Sequence, residues 1–366
     1  MKIEILKDHL ENTSLITSRV SNKNLSLPVL GCVVITAAGG RVTFQATNLD
    51  VSVELQVKAK IIEEGAVAVP AQTFNQLISN AVDQKILLEK KGDVLECVSG
   101  KGVSKIKTQD ISEFPTLPFV KKGDGFSLTI PAKEFITTLK TVSFASSQSG
   151  MRPELSSVFL KISDGVITTA ATDSFRLAEM KVQIKSKENI DPILIPSRNT
   201  QEIIRVVGTA EVVELRVGEN QISIIADGNY ITSRVIDGAF PDYSAIVPKT
   251  FSATATALTS EVVKILKKVS VFTDATGQVE VHISEKQKTV SFKAANTSVG
   301  ETREEAEAVI EGDEVPLSFN VRYLLDALGV VSADSISLKF SGAGKPLIIS
   351  ETPSRGFMYL VMPMNK

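Results

Sequence analysis

The chain repeats itself three times, at an interval of about 125 residues. No other feature limits the choice of fold so strongly, because whatever structure one third adopts must be adopted three times over. One anchor of the repeat is an apolar run that ends in a turn and leads into a helix. Its copies are Val67-Ala68-Val69-Pro70-Ala71-Gln72, Ile193-Leu194-Ile195-Pro196-Ser197-Arg198 and Val315-Pro316-Leu317-Ser318-Phe319-Asn320. Apolar residues at helical spacing follow each copy: Phe74, Leu77 and Ile78, then Ile203, Ile204 and Val207, then Tyr323, Leu324 and Leu328. A second anchor closes a strand on a small polar corner, Ala46-Thr47-Asn48, Ala171-Thr172-Asp173 and Ala294-Ala295-Asn296. A third, shared by two copies, ends a unit on Phe114-Pro115 or Phe240-Pro241, with Pro118 or Pro248 shortly after.

Near the start of each unit the spacing predicts a further helix, over 7–19, 132–142 and 260–269, with Leu10, Phe135 and Val262 in comparable places. Between the helices the chain reads as short alternating strands, such as Val51-Ser52-Val53-Glu54-Leu55-Gln56-Val57 and Val279-Glu280-Val281-His282-Ile283, punctuated by Gly, Asp and Asn. The expected fold class is therefore α+β, with three tandem similar domains of two helices each. Lys121-Lys122-Gly123-Asp124-Gly125 and Pro248-Lys249-Thr250 read as linkers, which sets the domains at 1–122, 123–249 and 250–366. A length of 366 residues suits three such domains.

Composition narrows the function. A net charge of −2 gives no global basic bias, so contact with nucleic acid would have to come from local patches. Aromatic residues are 5% of the chain and tryptophan is absent, which disfavours a stacking platform for single-stranded bases and leaves duplex backbone contact open. There is no apolar run of about 18 residues that could span a bilayer. The alternating start Met1-Lys2-Ile3-Glu4-Ile5 does not resemble a secretory signal, so the cytoplasm is the expected location. Cys32 and Cys97 sit in apolar settings and read as buried free thiols.

No constellation of nucleophile, base or metal ligands stands out. His9 and His282 are the only histidines, far apart and without the partners that a zinc site needs. Gly342-Ala343-Gly344-Lys345 fails as a phosphate loop, because Pro346 replaces the Ser/Thr and Lys339 stands where the first glycine belongs. Asp173 and Arg176 after a strand could form a catalytic pair; a corner-capping Asp beside a surface Arg is the plainer account. Neither a metal nor a cofactor is expected.

Three segments, Ala171-Thr172-Asp173-Ser174-Phe175-Arg176-Leu177-Ala178, Val235-Ile236-Asp237-Gly238-Ala239-Phe240-Pro241-Asp242-Tyr243 and Tyr359-Leu360-Val361-Met362-Pro363-Met364, together resemble the β subunit of bacterial DNA polymerase III. Leu27-Pro28-Val29-Leu30 fits it too, and the likeness covers the whole chain in length and in threefold repetition. The resemblance implies a non-catalytic subunit of the polymerase III holoenzyme. In that family two copies pair head to tail into a six-domain ring, with sheets outside and helices inside facing duplex DNA. A separate ATP-driven loader opens the ring, and the replicative polymerase, other polymerases and repair proteins dock on it through short hydrophobic peptides.

The resemblance also implies roles for named residues. A ring that slides attracts phosphates diffusely and avoids base readout. Candidate DNA-facing residues are Lys133, Lys140, Arg198 and Arg205 in the second unit, Lys264, Lys267 and Lys268 in the third, and Lys23, Gln148 and Arg152 in loops. A solvated helix face is the plain alternative for any one of them. The peptide pocket maps onto Leu155, Thr172, Ser174, Phe175, Arg176, Leu177, Pro241, Ala245, Ile246, Pro346, Leu360 and Met362, with Leu360 and Met362 on one face of a strand. Ser174, Phe175 and Ala245 depart from a well-known form with Gly, His and Arg, which leaves the peptide preference open. These apolar residues could instead simply fill a domain junction. The dimer interface is expected to set Lys105, Ile106 and Lys107 of a basic edge strand against Glu301, Glu304 and Glu305, with Val271 and Phe272 as apolar anchors. Two rival readings are an enzyme working at Asp173 and Arg176, and a tandem α+β scaffold that binds proteins but encircles nothing.

Overall fold

The structure is a computed structural model, which describes residues 1–21, 27–186, 188–312 and 316–364. Lys23 and Val315 lie outside the described residues. Six α-helices form among those described: α1 (Lys7–Val20), α2 (Ala71–Ser79), α3 (Ala132–Val142), α4 (Ser197–Val207), α5 (Thr259–Val269) and α6 (Val321–Leu328). They fall two to a repeat.

Each repeat has the same order of elements. A first strand, a helix, four strands, a second helix and three closing strands follow one another, with one additional short strand, Ala59–Glu63, in the first repeat. The corners predicted from Thr47-Asn48 and Thr172-Asp173 are one device used twice. Each threonine Oγ1 donates to the carbonyl four residues on, at 2.9 Å for Val51 and 2.6 Å for Arg176. Each Asx side chain accepts from the amides two and three residues ahead. The residue between is forced to positive φ, 76° at Leu49 and 79° at Ser174.

The chain divides into two compact units, Met1–Lys133 with Arg198–Val235, and Glu134–Ser197 with Ile236–Lys366. The division cuts the middle repeat, because each of its sheets continues into a neighbouring repeat. In the first unit an eight-stranded antiparallel sheet runs in the order Phe126–Pro131, Val212–Val217, Gln221–Ala226, Asn229–Arg234, Val51–Val57, Arg41–Thr47, Cys32–Ala38 and Gly65–Pro70. The last strand of the middle repeat thus pairs with a strand of the first, with Tyr230 opposite Glu54, Ile231 opposite Val53, Thr232 opposite Ser52 and Ser233 opposite Val51. Buried hydroxyls fill this joint. Thr47 bonds Ser52 at 2.8 Å, Ser223 bonds Thr232 at 2.6 Å, and Asn199 Nδ2 donates to Ser233 Oγ at 2.9 Å. Small paired hydroxyls can be buried here because each finds a partner. A separate five-stranded sheet has Gly102–Lys107 at its edge, and α1 packs on α2 and on strands Arg41–Thr47 and Val51–Val57.

In the second unit a twelve-stranded sheet repeats the arrangement. Its order runs from Ile190–Pro196 through Ser157–Ser163, Val166–Thr172 and Arg176–Gln183 to Phe357–Val361, Leu347–Thr352, Ser335–Phe340, Ala253–Leu258 and Gly300–Gly312, and beyond. The C-terminal strand pairs with the middle repeat, setting Arg176 opposite Val361, Leu177 opposite Leu360, and Ala178 opposite Tyr359. Gly356, at φ 96°, leads into it; a Cβ there would lie 2.0 Å from the Lys181 carbonyl oxygen, so only glycine fits this approach.

Cys32 and Cys97 are buried free thiols, and burial pushes each up to about 11. No helix among the described residues is long and apolar enough to cross a membrane. One expectation changes. Ile106, expected at the interface between Lys105 and Lys107, is only 6% exposed, because alternation along its strand turns it onto the core beside Leu95. The exposed apolar residue of that strand is Val103, at 57%. Ile106→Ala is therefore expected to cost about 2–5 kcal/mol of stability in denaturant titration, and Val103→Ala less than about 0.5 kcal/mol. Equal effects would contradict the burial of Ile106.

Candidate functional site

The corner Thr172-Asp173-Ser174-Phe175-Arg176 stands at the end of the second joint. Thr172 Oγ1 accepts from the Ser174 amide at 3.2 Å, and the left-handed Ser174 throws Phe175 outward, where it is 62% exposed. Met362, just past the C-terminal strand, donates its amide to the Phe175 carbonyl at 2.9 Å and keeps a side chain 38% exposed. Phe175 and Met362 thus share one rim.

Arg176 is no surface arginine. Its side chain is 10% exposed; Nε donates to Asp173 Oδ2 at 2.9 Å, Nη1 to Asp326 Oδ2 at 2.6 Å and Nη2 to the Phe144 carbonyl at 3.1 Å. Its guanidinium carbon also lies 4.3 Å from the centre of the Tyr323 ring. Burial acts to lower its proton affinity, the Asp326 hydrogen bond raises it, and the net direction is upward. Asp173 and Arg176 are engaged in holding the corner to α6, which accounts for both without chemistry.

Leu177 and Leu360 face each other across the joint and are each 1% exposed. With Ala170 and Ile348 they form an apolar cluster beneath Phe159, Phe240, Tyr243, Val247 and Met358. The expectation that Leu177 and Leu360 line an open cleft is thereby modified: they form a floor, covered by the segment that links the second and third repeats. Leu155 and Thr172 are likewise buried, at 5% and 8%, while Pro241 is exposed. The open apolar surface comes from Phe175, Met362 and Ile246, the last 54% exposed. Ala245, Ile246 and Pro346 share a cleft of about 540 Å³.

A clip that the sequence reading missed fixes the covering segment. Tyr243 Oη donates to Glu179 Oε2 at 2.6 Å, and Lys181 Nζ bonds Glu179 Oε1 at 2.8 Å. Glu179 is 6% exposed and is the one acid of its strand, Arg176–Gln183. That isolated acid was the available signal.

The helix cations divide into two sets. Lys133 and Lys140 on α3, Lys264 and Lys267 on α5, and Arg152 in its turn are exposed, as is Gln148. Arg198, by contrast, bonds Asp50 at 2.6 Å, Arg205 bonds Glu202, and Lys268 bonds Glu304 at 2.7 Å. Lys268 and Glu304, assigned to different surfaces from the sequence, neutralise each other within the chain, and the Lys268 hydrogen bond holds the Glu304 carboxyl below its usual range. Glu301 lies 4.0 Å from Lys293, Glu305 2.9 Å from Arg303, and Lys105 3.1 Å from Glu96. Lys107 is exposed, Val271 is 65% exposed, and Phe272 is half-buried.

Family comparisons fit this architecture repeat by repeat. The N-terminal, central and C-terminal domains of the DNA polymerase III beta subunit match residues 1–118, 129–242 and 244–365. The chain belongs to the DNA polymerase III beta subunit family. A beta sliding clamp of Chlamydia pneumoniae is 27% identical over 367 residues, covering 100% of this chain and 99% of the relative. One of Streptomyces coelicolor is 25% identical over 379 residues, covering 100% and 99%. In fold, the chain matches the DNA polymerase III beta subunit of Thermotoga maritima with a TM-score of 0.92 at 24% identity, covering 100% of this chain and 99% of that one. It also matches a sliding clamp from Pseudomonas aeruginosa bound to griselimycin, with a TM-score of 0.91 at 22% identity and full coverage of both chains.

The Tyr243 clip gives this family member an alkaline signature. Burial first, and the hydrogen bond to Glu179 second, raise the phenol well above its ordinary 10.0; burial raises Tyr359 too. The unfolded chain ionises at about pH 10, so the stability from these groups is complete below that pH and is lost as pH rises beyond it. The melting temperature of Tyr243→Phe is expected to fall less steeply above about pH 10 than that of the wild type. Equal slopes would contradict the assignment.

Proposed function

We propose that this chain is a sliding clamp, a non-catalytic subunit that closes as a head-to-tail dimer into a six-domain ring around duplex DNA. It acts in the cytoplasm and tethers polymerases and repair proteins through short peptides bound at the second joint, beside Phe175, Ile246, Pro346 and Met362. Its three domains divide near residues 122 and 249.

The observation that carries this reading is the arithmetic of the joints. Each joint pairs the last strand of one repeat with the strand after the corner in the preceding repeat. Two joints use two of the three copies of each strand, leaving, among the described residues, Gly102–Lys107 at a sheet edge and residues 300–307 paired on one side only. An unpaired strand edge is a template for another chain. A second copy supplies the missing partner at both ends, and such a heterologous contact closes when its rotation closes.

Register follows from the same equivalence. Ala46, Ala171 and Ala294 face Val53, Ala178 and Thr302 across their hairpins, which makes Ser52, Leu177 and Glu301 equivalent. The two-residue turns of the closing hairpins make Lys105 equivalent to Thr232, whose counterpart in the third repeat is Leu360. Lys105 of one copy then stands opposite Glu301 of the other, and Lys101 opposite Glu305. Val271 occupies the place that Phe144 takes beside Tyr359 at the second joint, where their rings are 5.8 Å apart.

Clamp function is tested by loading the protein onto nicked circular duplex with its loader and ATP, then cutting the circle. Protein should stay on circles and leave cut DNA. Lys264→Gln with Lys267→Gln should shorten retention on the order of tenfold, about equally for unrelated sequences, as expected when phosphate contacts are lost. Equal retention on circular and linear DNA would favour the tandem scaffold that encircles nothing.

A further inference from the structure

The cleft beside Ile246 and Pro346 has a second character that the apolar site does not use. Lys249 and Lys345 also line it, both exposed and neither in an ion pair with a described residue. Ser341 lines it as well; that side chain is 9% exposed, and its Oγ is buried without a hydrogen-bond partner among the described residues. A buried hydroxyl left unpaired is costly and uncommon. Here it sits in a cleft large enough for several side chains, flanked by two cations that have no ion pair among the described residues.

We propose that this cleft takes an acidic flank of the same peptide whose apolar residues occupy the rim of Phe175, Ile246 and Met362. The inference rests on the peptide-site reading. Ile246 and Pro346 belong to both surfaces, so one extended chain passes from one to the other without leaving the protein. Its carboxylates meet Lys249 and Lys345, and Ser341 Oγ donates to a carboxylate or backbone carbonyl of the peptide. Apolar walls at Ile246, Val247 and Pro346 suit a peptide better than a DNA backbone, which offers nothing to bury against them.

The test is fluorescence anisotropy on the intact protein with five labelled peptides. One carries the apolar core Gln-Leu-Ser-Leu-Phe; the other four add two glutamates or two glutamines, at either end in turn. The glutamate form should bind about fivefold more tightly than the glutamine form at low salt, as two exposed ion pairs allow, and lose that margin at high salt. Lys249→Gln with Lys345→Gln should abolish the margin while leaving the core peptide's affinity unchanged. Ser341→Ala should lower affinity for the acidic peptide about threefold without lowering the melting temperature. Failure of the core peptide to bind would overturn the peptide-site reading itself. A bound core peptide indifferent to acidic flanks would overturn this inference alone, as would a lysine variant that lost DNA retention and kept the margin.

Discussion

Antiparallel pairing between a closing strand and the strand after a corner is the constraint from which the rest of this molecule follows. It occurs twice within the chain, at Asn229–Arg234 with Val51–Val57 and at Arg176–Gln183 with Phe357–Val361. Because strand pairing satisfies backbone donors and acceptors in a fixed register, each joint also fixes which side chains meet on its two faces. Repetition then becomes informative. Equivalent positions in successive joints can be read against one another, and their chemistry differs.

At one such position the first joint sets Ser52 against Thr232, the second Leu177 against Leu360, and the proposed third Glu301 against Lys105. A buried hydroxyl joint is closed by its own hydrogen bonds and offers no apolar floor. The leucine joint offers one, and around it gather the exposed Phe175, Ile246 and Met362. A charged joint suits two surfaces that must find each other in water, since complementary charge sets register and encounter while burial supplies most of the affinity. One backbone device thus supports two chemistries within the chain, and a third in the proposed joint between copies. Arg176 bound to Asp326 ties the corner of the second joint to α6, and the Tyr243–Glu179–Lys181 clip holds its covering segment.

Much of the fold was legible in the sequence because repetition multiplies weak signals. The apolar spacing around Phe74, Ile203 and Leu324 marks three helices that would each be less certain alone, and the Thr47-Asn48 and Thr172-Asp173 corners form with the same hydrogen bonds. Side-chain direction was harder to read. Ile106 follows its strand's alternation into the core, and Leu177 and Leu360 are covered because a loop distant in sequence lies over them. Pairings between distant charges, such as Lys268 with Glu304 or Arg198 with Asp50, depend on register across the fold and leave no local trace. Ser341 carries no signal at all, since a serine is unremarkable until its burial and lack of a partner are known.

Closure of a ring depends on the third joint forming between copies as the first two form within one. Sedimentation of the purified protein measures that directly. A single species of twice 39.4 kDa is expected across a wide concentration range, because a closed ring leaves no edge to extend. Lys105→Glu and Glu301→Lys should each shift the protein toward monomer, and mixing the two charge changes in one chain should restore the dimer. A wild-type protein that stays monomeric, a mass that keeps growing with concentration, or a double variant no better than the singles would contradict the account.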